Sequence, residues 1–418
     1  MKQALLSLFA VFVLAFATPA QAQDKSLATA WEKFADDIRE LGPSLLAQKC
    51  VPADDPQVVS TAYRYLATLL YVGLDIHLLT ADPDRPEWSV SFSPHAPYGG
   101  DHRDGLYHGT MIDPNGTYRV TGRPRGGLPV VANIQTMDGW WQPGRANKTI
   151  ETLDVLTLEQ DADGGFELIV GGPKRGGNWL PLAPNATHMM FRQYMADDKL
   201  QKSYDISIKR IDQPLTMADA SDTPEALAQK LANASGFAKH LAEAFLKTTC
   251  ASLAQVNTIT QLPPEERAAL GANEANSFWF GSWDMRPDQA LLIELTPVPA
   301  QYWSIKGHNI WYQALPQASL QMQVNMMDAV TDRDGKVRVI VSERDPGYPN
   351  WIATGGLRQG VLVSRWNNKK GQEELAARLV EIADLPGLMP ADSVTVSLEE
   401  RRARMEIVRR QVLDRYGR

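Results

Sequence analysis

Flat aromatic rings beside amide, carboxylate and guanidinium groups gather in one part of this 418-residue chain. Trp303, Asn309 and Trp311 come first, followed by Arg344-Asp345, Asn350-Trp351 and Arg365-Trp366. Such a set suits sugars, aromatic acids and other small organic ligands, because rings stack on apolar faces while polar groups fix orientation. The candidate ligand-binding residues are therefore Trp303, Asn309, Trp311, Arg344, Asn350, Trp351 and Arg365. Asp345 and Arg344 form the candidate catalytic pair, with the guanidinium keeping the carboxylate ionised and so favouring a base. The competing reading is structural: tryptophans fill β cores, and Arg-Asp ahead of Pro346-Gly347 pins a loop.

Other chemistries have weaker texts. His95, His102 and His108 lie near Asp101 and Asp104 and offer nitrogen and oxygen donors for zinc, but their gaps of 7 and 6 residues match no compact metal motif. Asp332, Asp334 and Glu343 imitate a calcium loop, yet Lys336 and Val337 stand where an oxygen ligand and a glycine belong. No Gly-x-Ser-x-Gly elbow and no Ser-x-x-Lys occurs. The run from Gly171 to Gly177 lacks the Gly-Lys-Ser/Thr ending of a phosphate cradle. No metal and no cofactor is implied.

The elements that must position these residues are mostly strands. Branched and aromatic runs bounded by turns predict strands over 88–92, 106–112, 117–120, 130–135, 153–158, 166–170, 188–194, 290–296, 302–306, 337–341 and 361–366. Residues 310–312 complete a hairpin with 302–306 across Gly307-His308-Asn309. An acidic, glycine-bearing turn recurs at Asp113, Asp161 and Asp332, each ahead of a strand; the flanking residues do not align, so no internal repeat is read.

Helices frame the strands. Leu27, Trp31, Phe34, Ile38 and Leu41 make one helical face ended by Gly42-Pro43, and a second apolar stripe covers 57–79. Thr223 and Pro224 open a helix carrying Leu227, Leu231, Ala234, Ala238, Leu241 and Phe245 on one side. A C-terminal surface helix starts at Ser397, with acids early and arginines late to complement its dipole. The expected division is 1–22 signal peptide, 23–85 N-terminal helical segment, 86–215 first β half, 216–276 helical insertion, 277–395 second β half and 396–418 C-terminal helix.

Lys2, an apolar stretch from Ala4 to Ala17 and Ala20-Gln21-Ala22 form a secretory leader cleaved near Ala22, which places the protein in the periplasm with no membrane-spanning segment in the mature chain. The net charge of −7 becomes more negative once the leader is removed, and with export this argues against nucleic acid as a partner. The chain has two cysteines, Cys50 and Cys250, and an oxidising compartment permits their pairing, although spacing alone cannot decide it.

Several stretches resemble one family. They are 288–294 (DQALLIE), Tyr302-Trp303-Ser304, Asn309-Ile310-Trp311, 344–347 (RDPG), Pro349-Asn350-Trp351 and Arg365-Trp366, with Gly105-Leu106-Tyr107, 112–122 (IDPNGTYRVTG) and 177–181 (GNWLP) upstream. They are similar to the bacterial domain-of-unknown-function family 1214. The resemblance implies a β-sandwich of jelly-roll type with helical additions, here an N-terminal helical hairpin, a central helical insertion and a C-terminal helix, and it implies no agreed chemistry. Ser319-Leu320-Gln321 departs from the Ser-Leu-Asn run of family members. Three readings follow: an exported protein binding a small aromatic or glycan-like molecule in a tryptophan-lined cleft, a periplasmic hydrolase, lyase or isomerase using the same cleft, and an envelope structural or assembly protein without a small-molecule site.

Overall fold

The computed structural model describes residues 19–197, 199–214, 222–269 and 276–416; the expected leader, apart from its last four residues, lies outside them. The chain is mainly β, with four sheets and helices before, between and after them. The first sheet has the order β1 (Ser89–Val90), β2 (Gly105–Met111), β8 (His188–Tyr194), β4 (Val131–Asp138), β5 (Lys148–Asp154). The second runs β7 (Trp179–Leu180), β6 (Phe166–Gly171), β3 (Thr117–Pro124), β9 (Tyr204–Arg210). The third is β10 (Thr258–Gln261), β11 (Asn276–Asp284), β17 (Gln359–Asn367), β13 (Tyr302–His308), β14 (Gln323–Asn325). The fourth is β16 (Trp351–Ala353), β15 (Val337–Ser342), β12 (Gln289–Thr296), β18 (Glu374–Glu381).

These orders reveal an internal repeat that the sequence did not disclose. Taken in chain order, β1 to β9 and β10 to β18 are dealt to a five-stranded and a four-stranded sheet in the same succession and the same spatial order. Even the exception repeats, since β7 pairs parallel with β6 and β16 pairs parallel with β15, while the other neighbours are antiparallel. Two of the three acidic turns are equivalent: Asp161 N donates to Gly165 O at 2.8 Å and Asp332 N to Lys336 O at 2.8 Å. Each places a glycine, Gly164 or Gly335, at φ near +80°, where a side chain would be strained. The repeat resides in pairing and turn geometry rather than residue identity, so an alignment of flanking residues misses it.

Three cores hold the sheets. Val120, Ile134, Leu168 and Phe191 pack between the first and second sheets, and Leu291, Ile305, Val339 and Leu362 between the third and fourth. The opposite faces of the two five-stranded sheets meet a central core with the helices. Along β8, Met189 and Phe191 point one way and Met190 and Tyr194 the other; on β17, Leu362 and Trp366 oppose Val361 and Val363. This is the period of two of a strand, and burial on both faces explains the absence of a polar alternation in the sequence.

The helices complete the middle. α1 (Pro19–Leu46) continues through Pro43 instead of ending at Gly42-Pro43, because Leu41 and Leu45 both reach the core; Trp31, expected on the buried face, is 59 % exposed. α2 (Pro56–Leu74) widens into a π-helical turn over Asp75–Leu79. α3 (Pro224–Leu253) starts as expected, with Thr223 Oγ1 accepting from Ala226 N, and buries Leu231, Ala234, Ala238, Leu241 and Phe245. Cys50 and Cys250 form a disulfide, with Cα atoms 5.4 Å apart, tying the loop after α1 to the end of α3. After the short α4 (Pro264–Ala269) and α5 (Leu385–Leu388), α6 (Leu398–Arg415) begins with a capping box between Ser397 and Glu400. Among the described residues, no helix is long and apolar enough to cross a membrane.

Candidate functional site

The residues singled out between 303 and 366 do not converge on one cleft. Trp303 is buried and stacks on Trp366, ring centres 5.3 Å apart, inside the core of the third and fourth sheets. Asn350 is buried, and its side chain bonds both the N–H and the C=O of Val330; Trp351 Nε1 donates to Ser342 O at 3.2 Å. The other half repeats this unit: Asn178 bonds the N–H and C=O of Glu159, and Trp179 Nε1 donates to Gly171 O at 3.1 Å. An Asn-Trp pair that makes the same bonds twice is a fastening of the fold. Arg344 is exposed, and Asp345 is paired not with it but with Arg401 of α6, at 2.9 and 3.0 Å. Gln321, at the family's asparagine position, accepts from Arg401 and donates to the carbonyls of Pro349 and Trp351.

The expected hairpin of 302–306 with 310–312 is replaced by a turn. Asn309 Oδ1 accepts from the N–H groups of Trp311 and Gln313, and Tyr312 adopts φ +63°, which breaks the ladder; β13 pairs with β14 instead. The side chain of Asn309 competes successfully for the backbone donors. Trp311 is buried, stacked near Tyr65 and bonded to Thr61. Asn309 lines a cavity of about 250 Å³ with Gln313, Gln317 and Arg64.

Arg365 reaches a different cavity, where charge meets aromatic walls. It lines a cavity of about 80 Å³ together with Arg192, Tyr107, Asn147, Tyr312 and a wall of rings from Phe92, Tyr98, Trp140, Trp141, Phe245, Phe278 and Phe280. The repeat explains the arrangement. Arg192 on β8 pairs across with Tyr107 on β2, and Arg365 on β17 pairs with Phe278 on β11, at the same register in each half. The guanidinium of Arg192 lies 4.9 Å over Tyr107 and that of Arg365 5.0 Å over Phe278, a matched pair of cation–π contacts.

The turns that follow β4 and β13 match as well. Trp141 and Tyr312 both adopt left-handed backbone, φ +57° and +63°, and both rings pack on Phe245 of α3, at 5.6 and 4.7 Å. Non-glycine residues in that region carry strain, which is retained where the surroundings require a particular side-chain aim. Here the aim is at the cavity and its helical roof, Leu241 and Phe245.

A buried polar network adjoins the cavity. Arg365 Nη1 donates to the hydroxyls of Tyr107 and Tyr194, each at 2.8 Å, and sits 3.2 Å from His102 Nε2. The two hydroxyls are 2.8 Å apart. Tyr302 OH donates to Asp104 Oδ2 at 2.8 Å, and that oxygen also accepts from Gln323 and Asn325, while Arg103 holds the other. Asp101 nearby accepts from Ala314 N and Gln317, and Lys306 donates to the carbonyls of Gly100 and Asp101. The loop bearing Asp101, His102 and Asp104 thus belongs to the first half but is held by the second.

Burial and positive neighbours set the protonation. Burial and then the charges of Lys306 and Arg365 keep His102 neutral, its pKa well below the usual value. Burial pushes the Asp101 carboxyl up and the Lys306 ammonium down. Burial alone would raise Tyr194, but Arg365 and Arg192 outweigh it and bring the phenol below its ordinary value, while burial holds Tyr107 above. Neither Arg192 nor Arg365 has a carboxylate partner among the described residues, and the Nε of each is buried without a hydrogen bond. Among those residues, no group of three or more His, Cys, Asp or Glu side chains is placed to hold a metal ion; His95 is exposed whereas His102 is buried.

Sequence reasoning named Arg365 and His102 but missed Arg192, Tyr107 and Tyr194. A signal existed: two strands, 188–194 and 361–366, each carry one arginine in an otherwise apolar or uncharged run. A charge in a doubly buried strand requires a reason.

No curated protein matches the chain. A crystal structure of an uncharacterized protein from Burkholderia cenocepacia has the same fold, with a TM-score of 0.81 and 27 % identity over 86 % of this chain and 99 % of that one. The VPA0106 protein from Vibrio parahaemolyticus is far more distant, with a TM-score of 0.44 and 12 % identity over 76 % of this chain and 98 % of that one. The family model of DUF1214, a protein family of unknown function, matches residues 108–198 and 287–366, which span β8 with Arg192 and β17 with Arg365. These two regions of the chain are those of the DUF1214 family model.

Proposed function

We propose that this is an exported, periplasmic protein that binds a small organic anion in the ring-lined cavity between its two halves. Arg192 and Arg365 hold the anionic head group, and the apolar or aromatic body lies on the surrounding rings. The observation that carries this reading is the matched arginine pair without an acid among the described residues: a partly buried guanidinium with an unbonded Nε is costly unless paired, and an incoming carboxylate supplies the missing charge in a bidentate geometry. The volume of about 80 Å³ admits a head group of a few carbons, with a longer body lying toward the mouth. Each five-stranded sheet packing face to face on its four-stranded partner as a β-sandwich gives the rigid walls such a site needs. The leader and the Cys50–Cys250 disulfide support export to an oxidising compartment.

Thermal unfolding with benzoate and phenylacetate, against benzamide and phenylacetamide, tests the reading. The acids raise the midpoint with concentration and the neutral amides do not, the stabilisation approaching about 2.7 kcal/mol at a hundredfold excess over Kd. Arg192→Gln abolishes the shift. Equal shifts by acids and amides, or none by either, defeat the proposal. A second reading is a neutral, glycan-like ligand at Asn309, Gln313 and Gln317, favoured by the buried Gln317 Oε1 that has no partner among the described residues. Neutral sugars in the same screen decide it.

A further inference from the structure

The two halves match in their arginines but not in what stands beside them. The register that equates Arg192 with Arg365 also equates Tyr107 with Phe278 and Tyr194 with Asn367. Among the described residues, the two hydroxyls bonded to Arg365 both come from the first half, 2.8 Å from each other and each 2.8 Å from its Nη1. Tyr107 lines the cavity, whereas Tyr194 is fully buried behind it.

The Arg365 guanidinium, partly buried and without a carboxylate partner among the described residues, takes its counter-charge from an acidic group in reach, and the groups bonded to it are phenols. The groups facing the pair agree: Arg365 from β17 and Arg192 from β8 are cationic, neutral His102 presents Nε2 as an acceptor, and Tyr302 directs its proton away to Asp104. Arg415 at the end of α6 adds positive potential around His102, and Lys306 on β13 also faces it, with burial disfavouring its ammonium form. Asp104 is screened from the pair by Tyr302 and held by Arg103, Gln323 and Asn325.

We propose that Tyr107 and Tyr194 share one proton and form the general base of the cavity, acting on 2-oxo acids by removing a proton from the carbon beside the keto group. This rests on the anion-binding reading above. One guanidinium holds the carboxylate and the other the keto oxygen. The C3–H bond breaks, its electron pair becomes the C2=C3 bond, and the keto π pair moves onto the oxygen as an enolate facing the guanidinium. The proton goes to the Tyr107 oxygen as the proton of Tyr107 passes to the Tyr194 phenolate. Return of a proton to carbon restores every group, so no co-reactant is needed. Tyr107 is the catalytic residue; Tyr194 acts through it as a positioning and proton-holding residue. The cavity volume suits a three-carbon oxo-acid head, and the ring wall suits an aromatic substituent on C3.

The test uses the full mature chain with pyruvate and phenylpyruvate in D2O, following deuterium at C3 by proton NMR, together with the ultraviolet absorbance of tyrosinate in the ligand-free protein. Saturable exchange roughly 100-fold above buffer is expected, the size usual for a positioned base. Tyr107→Phe removes it while the thermal shift with phenylpyruvate remains. One tyrosinate appears below the normal tyrosine range and is missing in Tyr194→Phe, a change that a merely structural tyrosine would not produce. Exchange at the buffer rate with phenylpyruvate bound, exchange retained in Tyr107→Phe, or a tyrosinate signal unaltered by Tyr194→Phe each overturns the proposal. Absence of any shift with phenylpyruvate and benzoate instead removes the anion-binding reading, and this proposal with it.

Discussion

His77 shows how strongly the interior sets charge. It is 1 % exposed, its Nε2 donates to Trp140 O at 3.0 Å, and burial depresses its pKa from 6.5 to about 4 against a small opposing contribution from that bond. His108 is depressed to about 4 by burial as well. A group neutral in the fold but titrating near 6.5 when unfolded contributes stability that is complete above pH 6.5 and lost as pH falls toward 4, because protons then bind the unfolded chain in preference. Thermal midpoints should therefore fall across that window, and His77→Gln should flatten the slope by up to roughly 3 kcal/mol over the interval. A slope unchanged in the variant would contradict the assignment. At this scale the sequence was legible where local chemistry decides: the Thr223 and Ser397 caps stand as read. It was illegible where a long-range partner decides, as with Asp345, which binds Arg401 rather than its neighbour Arg344.

Among the elements, α3 connects the most parts. It leaves the first half, roofs the cavity with Leu241 and Phe245, and carries Cys250 in its last turn, fixed by the disulfide to Cys50. The bridge closes a loop 200 residues long, worth about 5 kcal/mol if its effect is on the unfolded chain. Replacing both cysteines by serine should lower the denaturant midpoint accordingly, and should weaken benzoate binding through looser placement of Phe245; a variant as stable as the parent would show that packing alone fixes the helix. Strand positions were readable from branched and aromatic runs, and several observed strands lie within a residue or two of expectation. The failures have physical causes. Residues 310–312 carry strand-forming side chains but lose their backbone donors to Asn309, and β10 hides inside a stretch read as helical because four residues leave little pattern.

At the level of the whole molecule, the halves are fused by more than the chain. The central core takes Val131 and Tyr194 from one half and Phe278, Tyr302 and Val363 from the other, and Asp104 from the first half is saturated by donors from the second. Neither half can open without exposing that core, so chemical denaturation should be a single transition, with tryptophan fluorescence and far-ultraviolet dichroism coinciding. Two separated transitions would contradict this. The site itself was mostly unreadable because it forms only when strands far apart in sequence are laid side by side; the arginines look unrelated until the register equates them. That register has an experimental use. A molecule folded from two like units contains its own reference sample: each substitution in one half has a counterpart in the other, in the same solution and the same chain. Asn178 against Asn350, or Trp141 against Tyr312, separates what the architecture demands from what the ligand does, without recourse to a second protein.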